Sequence, residues 1–248
     1  GSAHRMEPAV RQRPEPERAV RPFFTFFGGK YRMAPKYPSP RHATIIEPFA
    51  GSAGYSVRRN SERVILIEVD PVVAGVWRYL IGVSEAEVLA LPDIATGTSI
   101  DDYELGWEAR NLVGFWMNKA MTHPCLTPSA WLRSGIRPMS NWGPSTRERI
   151  ASQLVEIRHW EIIEGDYTAA PDIEATWFVD PPYEVRGSRY RFGAELIDFD
   201  ALGEWCQSRQ GQVIVCENEG ATWLPFEPFH DAKTARSNRS AEVVWTNS

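Results

Sequence analysis

The chain has 248 residues, a formal net charge of −5, 43% hydrophobic residues and 12% aromatic residues. That length and apolar content suit one large domain, or one domain with an inserted segment, and the negative balance excludes binding through a uniformly basic surface while leaving a local basic face open. The three cysteines, Cys125, Cys206 and Cys216, lie far apart without CxxC or Cys/His spacing, so we expect no disulfide framework, no metal and a reducing, cytoplasmic setting.

In chain order, residues 1–22 are rich in Arg, Pro and Glu with little to bury, and read as a disordered tail. Order is expected to begin at Phe23. Thr44–Glu47 reads as a short buried strand, followed by a glycine turn and a helix from Ala53 to Asn60. Arg63–Val69 reads as a second strand, and Pro71 suits the first turn of a helix running to Ile81. Residues 84–156 break the rhythm. They hold an expected helix over Glu108–Lys119 and a stretch from His123 to Arg149 crowded with Pro, Gly, Trp, Ser and Arg, and read as an inserted lobe. Strands return at Trp160–Ile163, Thr176–Val179 and Gln212–Cys216, with a helix over Phe199–Ser208. Ala241–Trp245 reads as a last strand, paired with Phe226–His230. Alternating short strands and helices imply an α/β fold with a mostly parallel sheet, mixed by the final antiparallel pair. No apolar run approaches a membrane span, and no secretory leader is expected. Trp107, Trp116, Trp160, Trp205, Trp223 and Trp245 are assigned to the core, and His123 and His159 to structural roles.

The richest chemistry lies at Asp180-Pro181-Pro182-Tyr183, directly after the apolar run 175–179. The prolines stiffen the turn and remove two donors, which leaves carbonyls as free acceptors. A carboxylate beside them and an aromatic ring suit a planar guest with an exocyclic amino group. The turn Glu47-Pro48-Phe49-Ala50-Gly51 joins the first strand to its helix, where small residues allow close approach and a helix start offers N–H groups. Glu68 and Asp70 end the next strand, where an acid can accept ribose hydroxyls. The lysine and Ser/Thr of a phosphate-binding loop are missing, so a ribose and adenine without phosphates fit better than a nucleoside triphosphate.

These residues together resemble the Dam-type DNA adenine methyltransferases, including phage-encoded members. The matching blocks are Phe26-Phe27-Gly28-Gly29-Lys30-Tyr31, Glu47-Pro48-Phe49-Ala50-Gly51, Leu66-Ile67-Glu68 and Asp180-Pro181-Pro182-Tyr183, with a weaker Glu164-Gly165-Asp166-Tyr167 and the ending 240–247. They span about residues 23–83 and 160–247. The resemblance implies a Rossmann-like class I methyltransferase fold with helices on both faces, a catalytic domain over 23–83 and 157–248, and a target-recognition lobe over 84–156. It implies S-adenosylmethionine as cofactor, held by Phe26, Phe27, Gly28, Gly29, Lys30, Glu47, Pro48, Phe49, Ala50, Gly51, Glu68, Val69, Asp166, Tyr167 and Asp180. Asp180, Pro181, Pro182 and Tyr183 would be catalytic. Asp180 and the Pro181 carbonyl would accept the two amino protons of a flipped-out adenine while Tyr183 stacks on it. One departure is Ala53, where the family often has glycine.

Contacts to double-stranded DNA are expected from Lys30, Arg133, Arg137, Arg186, Arg189 and Arg191, with Lys119, Arg147 and Arg149, interleaved with Trp131 and Trp142, and a separate patch of Lys233, Arg236 and Arg239 as further basic candidates. A monomer or weak dimer without membrane or metal partners is expected. RNA adenine methylation and a silent nucleic-acid-binding subunit on the same fold are the alternatives. Cytosine amino methylation and protein glutamine methylation are disfavoured because they more often carry serine and asparagine, respectively, where Asp180 stands.

Overall fold

A computed structural model describes residues 19–118, 121–129, 141–184, 191–229 and 241–247. The strands are β1 (Thr44–Glu47), β2 (Arg63–Glu68), β3 (Glu161–Glu164), β4 (Ala175–Val179), β5 (Gly211–Asn218), β6 (Glu227–Pro228) and β7 (Glu242–Thr246). The helices are α1 (Gly54–Arg59), α2 (Pro71–Gly82), α3 (Glu85–Ala90), α4 (Trp107–Trp116), α5 (Pro144–Gln153) and α6 (Phe199–Gln207). The strands form one sheet in the order β3-β2-β1-β4-β5-β7-β6. β1 through β5 pair in parallel, and β7 runs antiparallel to both β5 and β6. The expected α/β class and mostly parallel sheet are thus present, with the antiparallel pair at one end.

Strand alternation divides the core between the two faces of the sheet. Ile45, Val64, Leu66, Phe178, Ile214 and Cys216 point to one face and meet α2, α4 and α5 through Trp77, Leu80, Leu112, Phe115, Ile150 and Ala151. Ile46, Ile65, Ile67, Trp177, Val179, Val213 and Val215 point to the other and meet α6 through Leu202 and Cys206. The helix residues of segment 84–156 therefore share the main core with the sheet. A smaller cluster, Leu91, Ile100, Ala109, Val113 and Met117, lies within that segment.

Several expectations change in detail. Residues 19–22 are not part of a tail: Val20 is buried, the Arg21 amide donates to Gln153 Oε1, and Arg149 donates to the Pro22 carbonyl. The helix expected over 108–119 ends at Trp116. Helices α3 and α5 were not expected. The first is only six residues long, but a capping box between Ser84 and Glu87 sets its start. The second begins with Pro144 at its first turn, inside a stretch whose proline, glycine and serine content suggested a loop. Trp107 is 48% exposed rather than core. It lies across α2 at Gly75, where an added Cβ would come within 2.4 Å of the indole. His159 has a partner, with Nε2 3.0 Å from the Ser61 carbonyl.

Candidate functional site

The chain proceeds from β1 outward to β2 and β3, then returns to add β4 on the other side of β1. The strand order reverses between β1 and β4, and the carboxyl ends of parallel strands at such a switch point are where ligands bind in open α/β sheets. Glu47 ends β1, Glu68 ends β2, and Asp166 and Asp180 follow β3 and β4. A cavity of about 320 Å³ opens there.

All fifteen residues expected to hold a cofactor line this cavity: Phe26, Phe27, Gly28, Gly29, Lys30, Glu47, Pro48, Phe49, Ala50, Gly51, Glu68, Val69, Asp166, Tyr167 and Asp180. Of the four expected catalytic residues, Asp180 and Pro182 line it, whereas Pro181 and Tyr183 are set back from it. The Lys30 ammonium already sits 5.0 Å from the centre of the Tyr183 ring. One face of the expected stacking surface is thus in use. Asp70, weighed beside Glu68 as the strand-end acid, lines the cavity too, and sequence reasoning missed Thr122, Thr168, Phe192, Leu196, Ile197 and Asp198, which also line it. Asp70 and Asp198 carried a signal: each caps the start of a helix that follows a parallel strand, and such starts lie at the strands' carboxyl ends.

The glycine turn is held from both sides. The Gly51 amide donates to Glu68 Oε2 and the Asp70 amide to Oε1, both at 2.9 Å. Trp77 Nε1 donates to the Gly51 carbonyl at 2.8 Å. Ala50 donates to the Ile67 carbonyl, Ala53 to the Ala50 carbonyl and Ser56 to Glu47 Oε1. The N–H groups expected to await a ligand are therefore taken by protein oxygens at Ala50, Gly51, Ala53 and Ser56. Gly51 has φ +46°, a left-handed conformation that suits glycine, while Ala53 adopts φ 47° without that freedom. Gly54 is fixed by contact: an added Cβ would lie 2.4 Å from the Tyr31 amide nitrogen. The turn and the Gly28-Gly29-Lys30 loop thus meet backbone to backbone.

Charge is concentrated at the cavity floor. Lys30 Nζ lies 2.8 Å from Asp180 Oδ1 and 2.9 Å from Oδ2, and donates its hydrogen bonds to Oδ2 and to the Gly28 carbonyl. Asp180 Oδ1 is buried against the Lys30 ammonium, in ionic contact with it at 2.8 Å. Burial alone would lower the Lys30 pKa, but the carboxylates of Asp180 and Glu242 outweigh it and raise it. Burial pushes the Asp180 carboxyl up, opposed by Lys30. Burial also raises Glu47 to about 8 and Glu68 to about 7, against the backbone N–H groups that favour their charged forms. Phe49 stacks on Tyr167 with ring centres 5.8 Å apart, forming an apolar wall.

Four of the basic residues expected on nucleic acid are described, and each makes contacts within the protein. Lys30 is buried in its ion pair. Arg147 pairs with Asp93 at 2.5 Å. Arg149 donates to the Pro22 carbonyl, lies over the Trp116 ring, and is lowered by burial to about 10. Arg191 leans toward Asp70 at 3.7 Å and lines the cavity. Lys119, Trp131, Arg133, Arg137, Arg186, Arg189, Lys233, Arg236 and Arg239 lie outside the described residues.

Among the described residues, no group of His, Cys, Asp and Glu could hold a metal ion, and no helix is long and apolar enough to cross a membrane. No family model matches the chain. The chain is similar to a quinate permease from Neurospora africana, 31% identical over 118 residues that cover 43% of this chain and 22% of the permease. The chain thus spans about a fifth of that relative's length. This finding overturns the expectation of site-specific DNA adenine methylation, together with its RNA and silent-subunit alternatives: the curated relative is a permease, and the match brings no nucleic-acid chemistry with it.

Proposed function

We propose that the cavity at the β1–β4 switch point holds S-adenosylmethionine and that the protein is a methyltransferase of the Rossmann-like class I type, with its acceptor entering beside Asp180. The observation that carries this reading is the convergence of all fifteen expected cofactor residues on one cavity at the carboxyl edge of the parallel sheet. The antiparallel β5–β7 pair completes the mixed sheet that the resemblance calls for. The donor set fits the cofactor. The Asp180 carboxylate and the Lys30 ammonium, paired at 2.8 Å and both lining the cavity, offer opposite charges to the ammonium and carboxylate of the methionine part. Glu68 keeps a second lone pair on each oxygen for ribose hydroxyls after accepting from Gly51 and Asp70. Phe49, Tyr167, Val69 and Ile197 supply an apolar slot for adenine.

When bound, S-adenosylmethionine supplies a methyl group on a positively charged sulfur, which is already activated toward a nucleophile. The chain's own contribution is positioning. Gly51 and Gly54 let two loops close on each other, Asp180 orients the amino-acid end, and Pro182 borders the acceptor side. Fixing donor and acceptor in this way can recover as much as roughly 7–11 kcal/mol of barrier.

Calorimetric titration with S-adenosylmethionine tests the reading. Saturable binding is expected, with affinity rising from pH 6 to pH 8, because a cationic ligand favours the charged forms of Glu68 and Glu47, raised by burial to about 7 and about 8. Asp180→Ala should weaken binding at least about tenfold, equivalent to about 1.4 kcal/mol. Wild-type protein that shows no saturable heat would sink the reading. If binding holds, label transfer from the cofactor to amine-bearing acceptors of several chemical classes identifies the acceptor.

A further inference from the structure

Glu217 lies on β5, the strand beside the one that delivers Asp180, and its side chain is buried. It follows Val213 and Val215 on the face of the sheet that meets α6. The two strands pair in register as far as Val179 opposite Val215. Beyond that point the turn runs through Pro181 and Pro182, which have no N–H to carry the ladder further. The chain leaves the turn at Glu184, and the Glu184 amide donates to Glu217 Oε2 at 3.3 Å. Trp223 Nε1 donates to the same oxygen at 3.2 Å, and the Asn218 amide donates to Oε1 at 2.8 Å. Three N–H groups thus converge on one carboxylate. They favour its charged form, while burial, aided by the nearby Asp180, raises it to about 7.

We propose that Glu217 is a positioning residue that pins the exit of the Asp180–Tyr183 turn to β5 and so fixes where Asp180 and Pro182 stand at the cavity. The turn enters from β4, which the sheet holds, and leaves at Glu184, which Glu217 holds. The stiff prolines between these two anchors carry their positions to the cavity-lining atoms. Without Glu217 the exit swings free and Pro182 moves with it. The effect on ligand binding rests on the S-adenosylmethionine reading; the placement of the turn does not.

The test compares wild type with Glu217→Leu, Glu217→Gln and Trp223→Phe, using S-adenosylmethionine as calorimetric probe and crystal structures without ligand. Glu217→Leu keeps the volume and removes the acceptor. Pro182 and the Glu184 amide should then shift by about 1 Å, and affinity should fall about tenfold. Glu217→Gln keeps one oxygen for the Glu184 and Trp223 donors and should hold affinity to within about threefold of wild type. Trp223→Phe removes the neighbouring donor and leaves the Glu184 bond. It should lower the denaturation midpoint while affinity stays within about threefold of wild type. A Glu217→Leu crystal with the turn unmoved overturns the inference. So does a Trp223→Phe protein that binds as weakly as Glu217→Leu, because the loss then follows general loosening. Should Glu217→Leu not fold, hydrogen exchange of the Glu184 amide in wild type decides. Slowing of about tenfold or more relative to an unprotected amide is expected, and the unprotected rate overturns the inference. If wild type binds no S-adenosylmethionine, the functional reading fails, and the position of the turn still decides the inference by itself.

Discussion

At the residue scale the pair Lys30 and Asp180 joins the ends of the chain's two strongest motifs, 150 positions apart, at 2.8 Å. Each residue was legible as part of its own motif, because glycines, prolines and acids at a strand exit are short-range signals. Their ion pair was not legible, since no local pattern says that a lysine after two glycines will reach a carboxylate on another strand. Replacing Lys30 with Met would leave Asp180 charged and unpaired. Breaking a buried pair in this way costs about 3–5 kcal/mol. A fifth of the Asp180 side chain is exposed, so we expect about 2–3 kcal/mol, read as a lower denaturation midpoint. Recovery of the midpoint in the double variant Lys30→Met/Asp180→Asn checks that the loss comes from the stranded charge. A Lys30→Met midpoint equal to wild type would remove the pair from any account of stability.

At the scale of elements, the turn after β1 shows what local reading reaches and where it stops. Its glycines were visible, and so was the helix that follows. The structure adds that Glu68, the acid at the end of β2, spends both oxygens on backbone amides of neighbouring loops. That use depends on β2 lying beside β1 in register, Leu66 opposite Glu47. Gly54→Ala tests the contact of the turn with the N-terminal loop. Its Cβ would meet the Tyr31 and Lys30 backbone nitrogens at 2.4 and 2.8 Å, so one loop must move. Overpacking of this kind typically costs about 1–3 kcal/mol. Thermal unfolding should fall by several degrees, and affinity for S-adenosylmethionine with it; unchanged melting and binding would show the two loops to be loosely joined. Helix α5 was hidden for a different reason: its loop-like composition follows from a proline start and a polar outer face, and of its buried residues Thr146, Arg147, Ile150 and Ala151 only the last two are apolar.

For the molecule as a whole, burial of acids sets a pH dependence. Glu47 is raised to about 8 and Glu68 to about 7, and burial raises Glu217 to about 7 as well. Each has an ordinary value of 4.5. The folded protein therefore holds protons that the unfolded chain has already released, so stability is full below about 4.5 and is lost as pH rises through 7 and 8. Melting temperature should fall from pH 5 to pH 8 and level off above, and Glu47→Gln should flatten part of that fall while keeping the acceptor for the Ser56 amide. A melting curve that rises over this range contradicts the assignment. Sequence by itself determined the alternation of strands and helices and the α/β class, because apolar periodicity and turn chemistry act over a few positions; the fifteen residues around the cavity were expected from the family resemblance of its motifs. Only the tertiary structure decided that segment 84–156 shares the main core, that the basic residues Lys30, Arg147 and Arg149 face inward, and that Glu242 stands behind Asp180. Those outcomes depend on which strands become neighbours and in what register, and each brings together groups that the chain keeps tens to hundreds of residues apart.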